Sequence, residues 1–348
     1  MKTPGRFPLD YRLPADHFTT ALRSDVRSGL GTTPRTLSPK WLYDDRGSDL
    51  FEQITLLPEY YPTRSEQEIL TERSQEIAEL TRAGTLVELG SGSSRKTRLL
   101  LDALSVAGTL RRYEALDVSA AALEEACLAI DRDYEGIQVT GTVADLETDV
   151  PLPDGAAPRL VAFFGSTIGN FDRDQRASFF RSLAAALSPE DFLLLGADLV
   201  KEPGTLVRAY DDSAGVTAEF NKNVLRVLNR ELGADFQPDA FEHLALWNEP
   251  EERIEMHLRS RLPQTAKIPA LGLCLDFTRG ESIRTELSCK FREETLTAEL
   301  HDTGLTVRRW WTDSESRFAL LLAAPQARSA AKKSDAPSVH ESPGGKSR

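Results

Sequence analysis

From about Ser65 onward, short apolar runs alternate with stretches of helix length, and nothing else in the 348 residues constrains the fold as strongly. The runs are "TLVELG", "RYEALDV", "GIQVTGTVAD", "RLVAFFG" and "DFLLLGADLV". Strands separated by helices in this way predict a parallel sheet covered by helices on both faces. The clearest unit is "SFFRSLAAALSPEDFLLLGADL", where apolar residues recur at helical spacing from Phe179 to Leu187, Pro189 stops the helix and a strand follows. Near the end, "LTAELHDTGLTVRRWWTDSESRFALLLAA" reads as helix, Gly304 turn, strand, polar loop and strand. The last two strands predict a hairpin that gives the otherwise parallel sheet an antiparallel member. No internal repeat is visible.

Between Val200 and Lys290 the alternation loosens into helices such as "TAEFNKNVLRVLNRELG" and strand candidates such as "ERIEMHLRSRL". A second domain is expected there, joined by the first sixty residues, which precede the sheet without resembling it. With 40% hydrophobic residues the chain can bury one large core or two modest ones. A formal charge of −12 argues against partners that demand a basic face, namely nucleic acid or an anionic membrane surface. Cys127, Cys274 and Cys289 stand far apart and offer neither a disulfide framework nor a zinc site. No signal peptide is readable, and no run approaches the roughly 18 apolar residues of a membrane span. A cytoplasmic location is therefore expected. Residues 326–348 turn rich in Ser, Pro, Lys and Gly, so a disordered tail is expected there.

The stretch "VELGSGSSRKT" places Gly90 and Gly92 on a turn between an apolar run and a helical segment. A dinucleotide fingerprint would put a third glycine where Arg95 stands, which disfavours a nicotinamide cofactor. Alone, the turn is equally a strand-to-helix corner. Two acids change that balance. Asp117 ends the next strand, where a carboxylate accepts both hydroxyls of a ribose, and Asp145 follows the third, within reach of an adenine amino group. Lys96 beside a helix N-terminus suits a carboxylate. Adenosine plus a carboxylate, without a pyrophosphate cradle, points to S-adenosylmethionine. The five histidines are scattered without ligand spacing, so no metal is expected. Neither a phosphate loop nor a serine-nucleophile elbow is present in the sequence.

From about residue 18 to 325 the chain resembles the histidine-specific Nα-methyltransferases of ergothioneine biosynthesis, bacterial enzymes that trimethylate histidine to hercynine. The resemblance is carried by "PKWLYDDRGSDLFEQITLLPEYYPTRSE", "VELGSGSSRKT", "FFGSTIGNF", "LVRAYDDSAGVTAEFNKNVL", "ERIEMHL" and "RTELSCKF". It implies a Rossmann-like class I methyltransferase sheet at 65–200 and 291–325, with a discontinuous substrate-binding domain at 18–64 and 201–290. It implies Gly90, Lys96, Asp117, Asp145 and Leu146 as residues binding S-adenosylmethionine. The family's Asp-Phe pair is Asp145-Leu146 here, so aromatic stacking on adenine gives way to an apolar contact. For L-histidine it implies Asn170 and Tyr210 at the carboxylate, Tyr43 and Tyr60 near the amine and ring, and Glu286 and Ser288 at the imidazole. Tyr43 and Asn170 would be the catalytic pair, and the enzyme is expected to be a monomer.

Chemistry supports part of this independently. Glu286 and Ser288 are two apart on an expected strand and point the same way, so a carboxylate and a hydroxyl can meet an imidazole together. The bland readings are core packing for Tyr60 and Tyr61, a solvated face for an isolated ExS, and core packing for Met256, which alternates with Ile254 and Leu258. Met256 matches a family position near the substrate. Two other functions remain open at this point: a methyltransferase for a different amino acid, and a module that binds S-adenosylmethionine without turnover.

Overall fold

The structure, a computed structural model, describes residues 9–14, 16–92, 94, 96–146, 150–152 and 158–326. Apart from Gln326, the tail anticipated from the sequence lies outside these residues, as do Ser93 and Arg95 of the glycine turn. The N-terminal part forms β1 (Leu9–Tyr11), α1 (His17–Leu30), the short β2 (Arg35–Thr36), α2 (Asp45–Thr55) and α3 (Pro62–Thr81). Then come β3 (Thr85–Leu89), α4 (Thr97–Val106), β4 (Arg112–Asp117), α5 (Ala120–Asp133), β5 (Gln138–Val143), β6 (Arg159–Phe163), α6 (Arg173–Ala186) and β7 (Phe192–Asp198).

The five apolar runs are β3 to β7. They pair in parallel in the order β5-β4-β3-β6-β7, and β1 adds a parallel edge strand beside β5 that the sequence did not announce. Every residue of β3 and β6 is buried, as expected of strands covered on both faces. Leu86 belongs to the apolar cluster on one face, and Val87 and Leu89 to the cluster on the other. Helix α6 begins ahead of its apolar periodicity because Asp172 and Gln175 form a capping box there.

The next segment forms α7 (Pro203–Tyr210), α8 (Val216–Leu232), β8 (Phe241–Asn248), β9 (Arg253–Ser260), β10 (Gln264–Ile268), β11 (Leu273–Phe277) and β12 (Ser282–Cys289). Strands β2-β12-β9-β8 make a second sheet, and β10 pairs only with β11. A separate apolar cluster unites this segment with α1 and α2, through residues such as Leu22, Val26, Ile54, Phe220, Val224 and Ile283. The chain then returns through α9 (Glu293–Asp302), β13 (Leu305–Thr312) and β14 (Phe318–Pro325). The anticipated hairpin is present: β14 lies between β7 and β13 and runs antiparallel to both.

Two consequences position a site. The chain leaves central β3 towards β4 and β5, then returns to lay β6 on its other side. Ligands collect at the carboxyl ends of strands around such a reversal. Second, Leu199 just after β7 bridges Phe291 just after β12, which brings the second sheet to that same end.

Candidate active site

Beyond β3 the backbone turns sharply, with Gly90 at φ 67° and Gly92 at φ 46°, a region that side chains disfavour. The Gly90 N–H donates to Leu116 O at 2.8 Å, tying the turn to the end of β4. Asp117, at that end, accepts from the N–H of Gly92 at 3.3 Å and of Ser119 at 2.9 Å. Burial raises its carboxyl pKa against the pull of these N–H groups. Between the glycines, Ser91 Oγ is buried and finds no hydrogen-bond partner among the described residues. An orphaned hydroxyl on a left-handed turn is what a ligand-facing loop leaves when seen alone.

Asp145 follows β5, buried, with Oδ2 3.3 Å from His17 Nε2 and 3.4 Å from Lys40 Nζ. Leu146 packs against the apolar cluster beneath. Lys96 pairs with Glu66, a fully buried carboxylate that also accepts the Gly165 N–H at 2.9 and 3.0 Å. Below the turn, Glu88 accepts from Ser94 Oγ at 2.9 Å, Tyr113 OH at 2.5 Å and Thr97 Oγ1, while burial pushes its carboxyl up to about 7. None of His17, Lys40, Glu66 and Glu88 was singled out from the sequence. Glu66 had a signal: it falls on the apolar stripe of α3, one turn before Ile69 and Leu70.

The second half of the site is built on β12. Ile283 pairs with Leu258 and Arg284 with His257, but Glu286 pairs with Met256, so Thr285 is an extra residue in a bulge. Such a bulge re-aims the side chains beyond it. Without it Glu286 would face away from Ile283; with it, Glu286 and Ser288 share the face of Met256, Leu258 and Ile283. The bulge is secured from behind. Thr285 Oγ1 donates to Met256 O at 3.1 Å and to Asn221 Oδ1; Asn221 Nδ2 donates to His257 O at 3.1 Å and His243 Nδ1 at 2.8 Å. His243 Nε2 lies 2.7 Å from the Tyr210 carbonyl, which can only accept, so this ring is neutral with its hydrogen on Nε2. Burial lowers its pKa accordingly.

Into the recess thus formed come residues from distant parts of the chain. Ser288 Oγ is 2.8 Å from Tyr210 OH. Asn170, on the loop after β6, donates to Leu287 O at 3.2 Å and hydrogen-bonds Glu286. Burial pushes the Glu286 carboxyl up to about 7, held back by Asn170 and the nearby ammonium of Lys290. Tyr60 and Tyr210 meet edge to face at 6.2 Å, and Tyr43 packs on Phe51 and Phe220 at 5.4 and 5.2 Å. Tyr43 keeps 40% of its surface open, yet its hydroxyl is held far above the usual phenol pKa by burial, Glu286, Tyr60 and Tyr210. The ring is thus open on one side while its hydroxyl lies among buried side chains. Met256 differs: at 1% exposure it is part of the core directly beside Glu286.

The loop after β6 joins the two halves. At its start Gly165 reaches Lys96 through Glu66; at its end Asn170 reaches Glu286. A methyl donor bearing adenosine and a carboxylate suits the first half chemically, since it presents acids at two strand ends and an ammonium beside a helix start.

Comparison with known proteins agrees. A family profile described as histidine-specific methyltransferase, SAM-dependent, matches residues 22–325. A histidine N-alpha-methyltransferase of Mycolicibacterium smegmatis is 55% identical over 311 residues, covering 89% of this chain and 97% of that protein. Ergothioneine biosynthesis protein 1 of Neurospora crassa is 39% identical over 58% of this chain and 23% of its own. More distantly, a 4-dimethylallyltryptophan N-methyltransferase of Claviceps purpurea is 25% identical, covering 88% of this chain and 95% of that one. With its methyltransferase sheet, its glycine turn and a match running from α1 to β14, the chain belongs to the histidine-specific, S-adenosylmethionine-dependent methyltransferases.

Proposed function

We propose that the protein is an L-histidine Nα-methyltransferase that transfers three methyl groups from S-adenosylmethionine to the α-amino group, giving hercynine for ergothioneine synthesis. The observation that carries this reading is the loop after β6, which links Lys96 at the cofactor half to Glu286 at the recess. Residues 65–200 with 291–325 form the methyltransferase domain and 18–64 with 201–290 the substrate-binding domain. The enzyme acts as a monomer in the cytoplasm, a reading supported by its acidic charge and lone cysteines.

The bound cofactor supplies a methyl already activated on a sulfonium. The protein's task is therefore positioning, which is worth roughly 7–11 kcal/mol of a barrier when two reactants are held in line. Gly90 gives the backbone close approach, Lys96 holds the cofactor carboxylate, Asp117 accepts the ribose hydroxyls, and Asp145 with Leu146 receives adenine. Asn170 and Tyr210 hold the substrate carboxylate, while Glu286 and Ser288 take the imidazole. Tyr43 and Tyr60 border the amine. Their raised pKa values keep them phenols, so Tyr43 orients the amine through its oxygen lone pair, and the proton leaves by way of water or a tyrosine. Three transfers exhaust the nitrogen lone pair, which ends the reaction without any steric stop.

Incubating the protein with histidine and S-adenosylmethionine should give a product in which three methyl groups replace three hydrogens on nitrogen, a net mass gain of three CH2 units. The Claviceps relative, named for a tryptophan derivative, makes other amino acids the necessary competitors in that assay. Turnover of another amino acid in preference to histidine would overturn the proposal, and cofactor binding without any turnover would favour a binding module.

A further inference from the structure

Lys290 lies just past β12 with no exposed side-chain surface, and no sequence feature drew attention to it. Its ammonium, which can only donate, is 2.9 Å from Tyr210 OH, 2.8 Å from Ser288 Oγ and 2.8 Å from Asp198 Oδ2. Those three contacts use its three hydrogens. We propose that Lys290 is a positioning residue for the methyl-accepting substrate: it fixes Tyr210 and Ser288 as acceptors on its side, so that the two hydroxyls together offer the substrate a single hydrogen.

The count is simple. Tyr210 and Ser288 bring one hydroxyl hydrogen each, and one of these must lie in the 2.8 Å contact between them. Among the described residues nothing accepts the other, which leaves it available to a bound substrate. An ammonium held on the far side polarises both hydroxyls and makes that remaining hydrogen a stronger donor towards an anionic group. The ammonium is itself immobilised. Asp198 also accepts from Tyr61 OH at 2.8 Å and Lys201 Nζ at 2.6 Å, and its own N–H donates to Ser166 Oγ at 2.9 Å. Burial alone would raise the Asp198 pKa, but Lys290 and Lys201 outweigh it and hold the carboxyl below its usual range. A lysine needed only to neutralise Asp198 would not have to place its other hydrogens on two side chains of the recess. This role rests on the reading of that recess as the histidine site.

The test is Lys290→Met, compared with the parent in histidine kinetics and in titration with S-adenosylhomocysteine. The histidine KM should rise roughly 30-fold or more, with affinity for S-adenosylhomocysteine changed less than about threefold. The acid limb of the kcat/KM profile should move to higher pH, because Glu286 loses a neighbouring positive charge while Tyr43, Tyr60, Tyr210 and Asn170 around it stay uncharged. Tyr210→Phe should cost much less in the Lys290→Met background than in the parent. If Lys290→Met does not fold, Asp198→Asn/Lys290→Met removes both partners of the ion pair and carries the same expectations. A folded variant with unchanged histidine KM and an unmoved acid limb overturns the role of Lys290, as does equal loss of histidine and cofactor affinity. A parent that fails to methylate histidine takes down the reading of the site, and this role with it.

Discussion

The two halves of the site are built by different means. At the cofactor half the glycine turn and Asp117 are held by backbone, since Asp117 accepts from two main-chain N–H groups and the turn is tied to the end of β4 by its own N–H, while Asp145 and Glu66 meet distant side chains. At the substrate half, side chains answer to side chains across long stretches of sequence, as when Tyr210 meets Ser288 or Lys290 meets Asp198. Burial raises a carboxyl in both halves, Glu88 and Glu286 each to about 7. Regular strands deliver an acid to a fixed place even where, as for Asp117 and Glu88, burial raises its carboxyl pKa. In the proposed function, discriminating one amino acid from another falls to the polar groups that the second sheet, its bulge and the loop after β6 bring together.

Glu286 is where breaking the comparison should have the largest effect. If its buried carboxylate accepts the imidazole N–H, removing it leaves that donor unpaired, so Glu286→Ala should lose about 2–3 kcal/mol in kcat/KM for histidine. Affinity for S-adenosylhomocysteine should hardly move. Analogues without the imidazole N–H should lose far less on mutation, since the contact is absent either way. Equal losses for all substrates would remove Glu286 from histidine recognition. Stability gives a second readout with a defined sign. Its carboxyl rises from 4.5 to about 7 in the folded protein, so its contribution is fully present below 4.5 and is lost as pH rises through 7. Glu286→Gln should therefore raise Tm relative to the parent at pH 8 and leave it unchanged near pH 4. An equal shift at both pH values would mean that the carboxyl is not displaced.

This contrast also decides what could be read from the sequence. The strand order rests on local alternation, and β3 to β7 fall on the five apolar runs because each run is too short for a helix and is bounded by turn residues. The places of Gly90, Asp117 and Asp145 at or just past strand ends were legible because strand ends are themselves legible. Glu286, Ser288 and Tyr210 were reached through resemblance alone, since the bulge at Thr285 that turns Glu286 inward leaves no mark on a hydrophobic pattern. Lys290, Glu66 and Asp198 were missed although each is a charge within or beside a buried run. A buried charge acquires meaning only from the partner that the fold brings to it.

Asp117 sharpens the comparison from the other side. If its carboxylate accepts ribose hydroxyls, Asp117→Ala should weaken S-adenosylhomocysteine by about 1–3 kcal/mol in a calorimetric titration. At saturating cofactor the KM for histidine should remain near that of the parent. The N–H groups of Gly92 and Ser119 lose the same acceptor, so loosening of the turn adds to the loss. Unchanged cofactor affinity would count decisively against this placement of the ribose.

The smallest effect is expected at Thr285, which touches no ligand and acts only through the bulge. Its hydroxyl hydrogen is shared between Met256 O and Asn221 Oδ1, and Asn221 in turn holds the His257 carbonyl and the neutral ring of His243 behind Tyr210. Thr285→Val keeps the shape and deletes the donor, leaving two buried acceptors short of a partner, a loss of roughly 1–2 kcal/mol in thermal or urea unfolding. Within the site the same change relaxes the strand that aims Glu286 and Ser288, so the histidine KM should rise a few-fold, well below the effect of Glu286→Ala. The cofactor half hangs from β3, β4 and β5, which share no ladder with β12, and should not register the change. Comparable losses of histidine and S-adenosylhomocysteine affinity in Thr285→Val would show that the two halves are held together more tightly than their separate sheets imply, and the division argued from them would fail.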